Sequence, residues 1–132
     1  MKVLVDTSVW SLALRRKAPS AQPEVVLLEK IIGEEHHIFL TGVILMEILQ
    51  GFRELHQFEK IHGYLEAFPI LDLNRNGYAN AALLQAKCRK QGVQSATVDS
   101  LIAQTAIEHD CHLLTADQDF IHIARCCDLK LL

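Results

Sequence analysis

Lys2-Val3-Leu4-Val5-Asp6-Thr7-Ser8 is the stretch on which the fold reading turns. A β-branched and aliphatic run that stops at three polar residues reads as a short buried strand. Thr7 or Ser8 is then placed to cap a helix carrying Val9, Trp10, Leu12 and Ala13. That helix is expected to end in Arg15-Arg16-Lys17, cations where a helix C-terminus favours them, before Pro19 and Pro23 break the chain.

Outward from there, the same alternation repeats. Val25, Leu28, Ile31 and Ile32 fall at helical spacing within 24–35, and Ile38-Phe39-Leu40, closed by Thr41-Gly42, reads as a second strand. A 3.6-residue period through Ile44, Leu45, Ile48 and Leu49 predicts a helix over 43–52, with Glu47 set among apolar neighbours. Leu55, Phe58, Ile61 and Leu65 mark an amphipathic helix over 54–67, and 69–73 reads as a third strand. Asn74 is a candidate N-cap for a helix over 75–91 that ends near Gly92. A further helix begins around Val98-Asp99-Ser100 and leads to a fourth strand, His112-Leu113-Leu114-Thr115. A short helix over 118–125 and a final edge strand over 129–132 complete the pattern. No repeat, low-complexity tract or linker interrupts it. Strands alternating with helices predict an α/β three-layer sandwich around a short, mostly parallel sheet, with 1–132 as a single domain.

Composition bounds the function. The chain has 132 residues, half of them hydrophobic, enough for one core and too few for two domains. The N-terminus lacks the apolar region of a signal peptide and no run reaches membrane-spanning length, so the expectation is a cytoplasmic protein with no membrane role. Cys88, Cys111, Cys126 and Cys127 follow no disulfide framework and read as reduced, buried thiols. His122 and Cys126 have helical i, i+4 spacing, but two ligands do not make a zinc site and no other pair supplies the rest. The net charge of −3 argues against a broad basic surface for nucleic acid. It decides little, because setting four acids aside as a metal site leaves the remainder at about +1.

Those four acids are the centre of the reading. Asp6 and Asp117 follow predicted strands, and the carboxyl edge of an open parallel sheet is where ligands bind. Asp99 opens a helix that leads into a parallel strand, so it starts at that same edge. Glu47 lies in the early turns of the helix after the second strand, which the connection rule also places there. Two like charges about 4 Å apart at an effective dielectric of about 20 repel by roughly 4 kcal/mol. A few such pairs rival the whole stability of a domain. The cluster must take up protons or bind cations, and an all-oxygen set selects hard ions such as Mg²⁺ or Mn²⁺. Hydrolysis of a phosphodiester by a metal-activated water uses this arrangement and needs no protein nucleophile.

Val-Asp-Thr-Ser-Val-Trp at 5–10, Glu47 in a helix after the second strand, Val-Asp-Ser-Leu-Ile-Ala at 98–103 and Leu-Leu-Thr-Ala-Asp-Gln-Asp-Phe at 113–120 resemble PIN domains, above all VapC-type toxins. Each motif is weak alone, but four in order span nearly the whole chain. The resemblance implies a Mg²⁺- or Mn²⁺-dependent endoribonuclease, a homodimer, an RNA substrate and a cognate antitoxin whose tail plugs the groove. Carried over by position, Asp6 and Asp99 match principal metal ligands, and Glu47 and Asp117 complete the site. Thr7 or Ser8 and Thr115 match hydroxyls that orient a carboxylate or a metal-bound water. Asp119 falls on an additional acid of variable role.

Ordinary roles compete with each of these. Asp6 and Asp117 suit turns, and Asp99 suits a helix N-terminus. Arg15, Arg16, Lys17, Arg89 and Lys90 are candidate phosphate contacts or simply solvated helix ends. An aspartyl-phosphate mechanism of the haloacid-dehalogenase kind wants a second Asp two residues after Asp6, where Ser8 stands. A non-catalytic PIN-like scaffold that binds a protein is the alternative reading.

Overall fold

A computed structural model describes residues 1–15 and 22–132. Arg16, Lys17 and Pro19, expected to end the first helix and break the chain, lie outside the described residues. The elements in chain order are β1 (Lys2–Val5), α1 (Thr7–Leu14), α2 (Pro23–Gly33), β2 (His37–Thr41), α3 (Gly42–Leu49), α4 (Leu55–Leu65), β3 (Ile70–Leu71), α5 (Arg75–Lys90), α6 (Thr97–Glu108), β4 (His112–Leu114), α7 (Asp119–Ala124) and β5 (Lys130–Leu131). Every expected strand and helix is present, and the sheet is parallel at each pairing in the order β3-β2-β1-β4-β5.

The strand order fixes where a ligand goes. From β1 the chain steps outward to β2 and β3, then returns past β1 to β4 and β5. Right-handed crossovers therefore put α1–α4 over one face and α5–α7 over the other, giving three layers. Contacts agree: α1 touches α2 and α3, α3 touches α4, and α6 touches α5 and α7. The change of direction falls between β1 and β4, and the crevice beyond their carboxyl ends is the expected binding position. Val3, Leu4, Val5, Leu113 and Leu114 are buried on both faces, which is why these strands read as unbroken apolar runs.

Several boundaries moved for physical reasons. Pro23 opens α2 at its first position, where its missing N–H costs nothing, instead of breaking the chain. β3 shrinks to two residues because only Leu40 and Thr41 of β2 pair with it. The helix predicted over 43–52 starts one residue early, where the Thr41 hydroxyl accepts from Ile44 N–H and caps it, and it stops at Leu49. Asn74 caps α5 as expected, accepting from Gly77 N–H at 2.9 Å. Gly92, at φ +80°, ends α5 in a Schellman motif: its N–H bonds Arg89 O, and Val93 N–H bonds Cys88 O. Helices α2 and α6 end in the same motif without glycine, using Glu35 (φ 58°) and Asp110 (φ 53°).

The core joins both helical layers through the sheet, and an aromatic group of Trp10, Tyr64 and Phe68 lies on the α1–α4 side. Trp10 is buried with its indole N–H unpartnered among the described residues. Leu4 is fully buried in the central strand. Leu4→Ala is expected to lower stability by about 2–5 kcal/mol in urea unfolding.

Candidate active site

The site is built on the β1–β4 pairing. Asp6 N–H donates to Leu114 O at 2.9 Å, continuing the ladder one residue past β1. This sets Asp6 beside Thr115. Asp6 then occupies the N-cap position of α1, where the sequence pointed to Thr7 or Ser8, and its side chain makes no capping bond. The carboxylate is diverted: its Oδ2 accepts from Ser8 Oγ at 2.7 Å and from Thr115 Oγ1 at 2.9 Å. Each hydroxyl spends its one proton on Asp6 and accepts a backbone N–H, Ala116 to Ser8 and Asp117 to Thr115, both at 3.0 Å. Backbone donors thus feed two hydroxyls that together hold one buried carboxylate oxygen. The positive end of α1 faces the same charge.

Glu47 reaches the edge from α3, in the same helical layer as α1. Thr41 ends β2 and caps α3, and Glu47 lies in the second turn that follows, partly buried. Thr7 Oγ1, from the first residue of α1, donates to its Oε1 at 2.9 Å. The hydroxyls of Thr7, Ser8 and Thr115 therefore all serve carboxylates, as their positions in the sequence implied.

Asp99 stands in the first turn of α6, Asp117 in the loop after β4, and Asp119 at the start of α7. One carboxylate oxygen from each lies within 4.8 Å of the others. Asp119 N–H donates to Asp117 Oδ1 at 2.9 Å, which folds the loop so that both acids face Asp99. Burial first, then the charges of Asp117, Asp6, Asp119 and Glu47 in that order, push the Asp99 carboxyl up to about 6. One group thus registers the field of all the others, and five carboxylates share one rim. The trio differs from the sequence reading in one respect: Asp119, ranked there as auxiliary, is in the tight group, whereas Glu47 and Asp6 flank it. The signal was present in Asp117-Gln118-Asp119, an acid and a helix-opening acid two residues apart.

The donor chemistry fits a hard divalent cation. All five groups offer oxygen, three of them from one compact cluster, and their mutual repulsion is what a cation would relieve. Among the described residues this acidic trio is the one group of three metal-capable side chains close enough to share an ion. His122 and Cys126, the zinc-like pair, do not gather further ligands. Instead Cys126 Sγ points to His122 O at 3.6 Å within one helical turn.

The PIN domain family model matches residues 3–125. The chain belongs to the PIN domain family. Its fold is similar to FitAcB from Neisseria gonorrhoeae, at 23% identity and a TM-score of 0.71, over 98% of this chain and 96% of that one. VapBC2 from Rickettsia felis, bound to a DNA fragment from its promoter, is similar at 18% identity and a TM-score of 0.79, over 100% and 98%. A toxin-antitoxin complex from Klebsiella pneumoniae is similar at 21% identity and a TM-score of 0.68, over 90% of each chain. No curated protein matches the sequence significantly. No helix among the described residues is long and apolar enough to cross a membrane.

The raised Asp99 value has a definite sign. Without metal, the folded chain holds a proton on Asp99 up to about pH 6, whereas the unfolded chain releases it near 3.8. Folding stability therefore falls as pH rises through that window and stays low above it. Asp99→Asn removes the penalty. The metal-free variant is expected to be more stable than the parent at pH 7 by about 1–2 kcal/mol, a figure discounted for partial solvation, and equal to it near pH 3.5. Thermal unfolding in EDTA at the two pH values measures this.

Proposed function

We propose that the chain, working as one domain over 1–132, is a metal-dependent endoribonuclease and the toxin partner of a toxin-antitoxin pair. The observation that carries the reading is the carboxylate rim: Asp99, Asp117 and Asp119 in one cluster, Asp6 and Glu47 beside it, at the switch point of a PIN sheet. In this proposal Asp6, Asp99, Glu47 and Asp117 hold Mg²⁺ or Mn²⁺, with Asp119 joining them. A bound divalent ion supplies a water activated near neutral pH and offsets charge on the phosphodiester.

The chain's own residues do the rest. Ser8 and Thr115 fix Asp6 Oδ2 in place, so the deepest acid holds its orientation. Thr7 does the same for Glu47 across the two helices. Asp99, whose carboxyl burial and the neighbouring charges push up, is where a bound cation would relieve the repulsion. The exposed side of Asp119 leaves the rim open to a substrate as large as an RNA strand.

The toxin assignment rests on fold similarity to the Klebsiella toxin-antitoxin complex and to VapBC and FitAcB structures. It brings with it a small cognate antitoxin that covers the rim, and a homodimer as the free state. A non-catalytic PIN-like scaffold is the competing reading. It predicts the same antitoxin binding with no RNA cleavage.

Purified, antitoxin-free protein incubated with a mixed RNA pool and Mn²⁺ or Mg²⁺ is expected to cut RNA. EDTA should abolish cutting, and Asp6→Asn or Asp99→Asn should each reduce it by about 10²-fold or more. Cleavage equal in the variants and the parent would assign the activity to a contaminant. Metal binding by the parent with no cleavage of any RNA in the pool would favour the scaffold.

A further inference from the structure

Arg89 lies one residue from the end of α5, where the Schellman turn at Gly92 reverses the chain and sets 92–95 alongside the start of α6, where Asp99 stands. Gln85 Nε2 donates to Ser95 O at 2.8 Å and pins this reversal. Two cavities open on its surface. One, of about 290 Å³, is lined by Asp119 and His122 on one wall and by Gly92, Val93 and Gln94 on the other. The second, of about 160 Å³, is bounded by Arg89, Gln85, Val93, Gln94 and Ser95. Val93 and Gln94 line both, so the two form one trough running from an acid of the metal-capable trio to an arginine.

Charge decides what the trough fits. Its inner end is acidic, and its outer end carries Arg89, which is exposed and whose guanidinium makes no ion pair or hydrogen bond among the described residues. A free guanidinium presents a planar fork of donors suited to phosphate oxygens. A polyanion whose one phosphate is drawn to a cation-loaded rim repels nothing at the outer end, where the acids are absent from the walls. Gln94 and His122 add hydrogen-bonding surface between the two ends. Lys90, next in sequence, does not line the trough.

We infer that this trough, from Asp119 past Gln94 to Arg89, is the path of the single-stranded RNA flanking the cut, with Arg89 binding a phosphate of that flanking strand. The inference rests on the ribonuclease reading and names which side of the rim the strand crosses. Arg89 is a substrate-binding residue and not part of the metal site, so its loss weakens RNA affinity without changing metal uptake.

The test uses the full-length Asp99→Asn protein, in which cleavage is suppressed, with a fluorescent RNA oligonucleotide and Mn²⁺ across a salt series. Arg89→Ala is expected to weaken binding several-fold and to reduce the slope of log affinity against log salt by about 0.7, the value for one single-strand phosphate contact. Arg89→Lys should restore the slope, Arg89→Glu should weaken binding further, and Lys90→Ala should change neither quantity. In the otherwise unmodified protein, Arg89→Ala should raise KM more than it lowers kcat. If that protein cuts RNA while Arg89→Ala and Arg89→Glu leave affinity and slope unchanged, the path is elsewhere and only this inference fails. If it neither binds nor cuts RNA, the ribonuclease reading fails and takes the path with it.

Discussion

Everything at the rim depends on the parallel pairing of β1 with β4. The Asp6 N–H to Leu114 O bond extends that ladder by one residue, and this single step brings an aspartate from one end of the chain to a threonine near the other. Burial of Leu4, Val5, Leu113 and Leu114 supplies the stabilisation that keeps the two strands in register. A slip of one residue would turn each apolar side chain to the wrong face and part Asp6 from Thr115. The core thus holds the geometry, and the loops beyond the strand ends spend it on charge.

The arrangement divides the acids by how they are held. Asp6 has two hydroxyl donors aimed at one oxygen and Glu47 has one, which fixes the direction of each. Asp99 has no such donor among the described bonds and feels burial and four neighbouring charges instead, so it is the acid whose carboxyl is pushed up. A site made this way keeps two carboxylates permanently oriented and leaves a third to respond to what enters.

Much of this was legible in the sequence because two rules act on short stretches. Apolar runs ended by Asp-Thr-Ser or by Thr-Ala-Asp mark strand ends, and right-handed crossovers send all such ends to one edge. The four acids named from those rules do share a rim. What the sequence hid came from competition between local and tertiary bonds. Ser8 has the right chemistry to cap α1, yet its hydroxyl is claimed by Asp6, and Asp6 takes the cap position without capping. Asp119 looked secondary because the position it matches in PIN domains carries an additional acid of variable role. Only the Asp117 bond to its N–H turns it toward Asp99. Gly92 ends α5 as its place in the sequence implied, whereas the left-handed residue after α2 is Glu35, which no glycine marks.

The span between Asp6 and Thr115 has a consequence for the order in which the molecule is made. A chain grows from its N-terminus and its early segments fold first. The β1–α4 half, with Trp10 and its aromatic neighbours, can gather while synthesis continues, but β1 stays without its β4 partner until positions 112–114 are added. Asp99, Asp117 and Asp119 all come from the last third as well. A nascent chain therefore carries the first helical layer with Asp6 and Glu47 but not the cluster of Asp99, Asp117 and Asp119. The full set of carboxylates meets only when β4 pairs with β1, so the rim is completed in one late step and not by gradual accumulation along the chain.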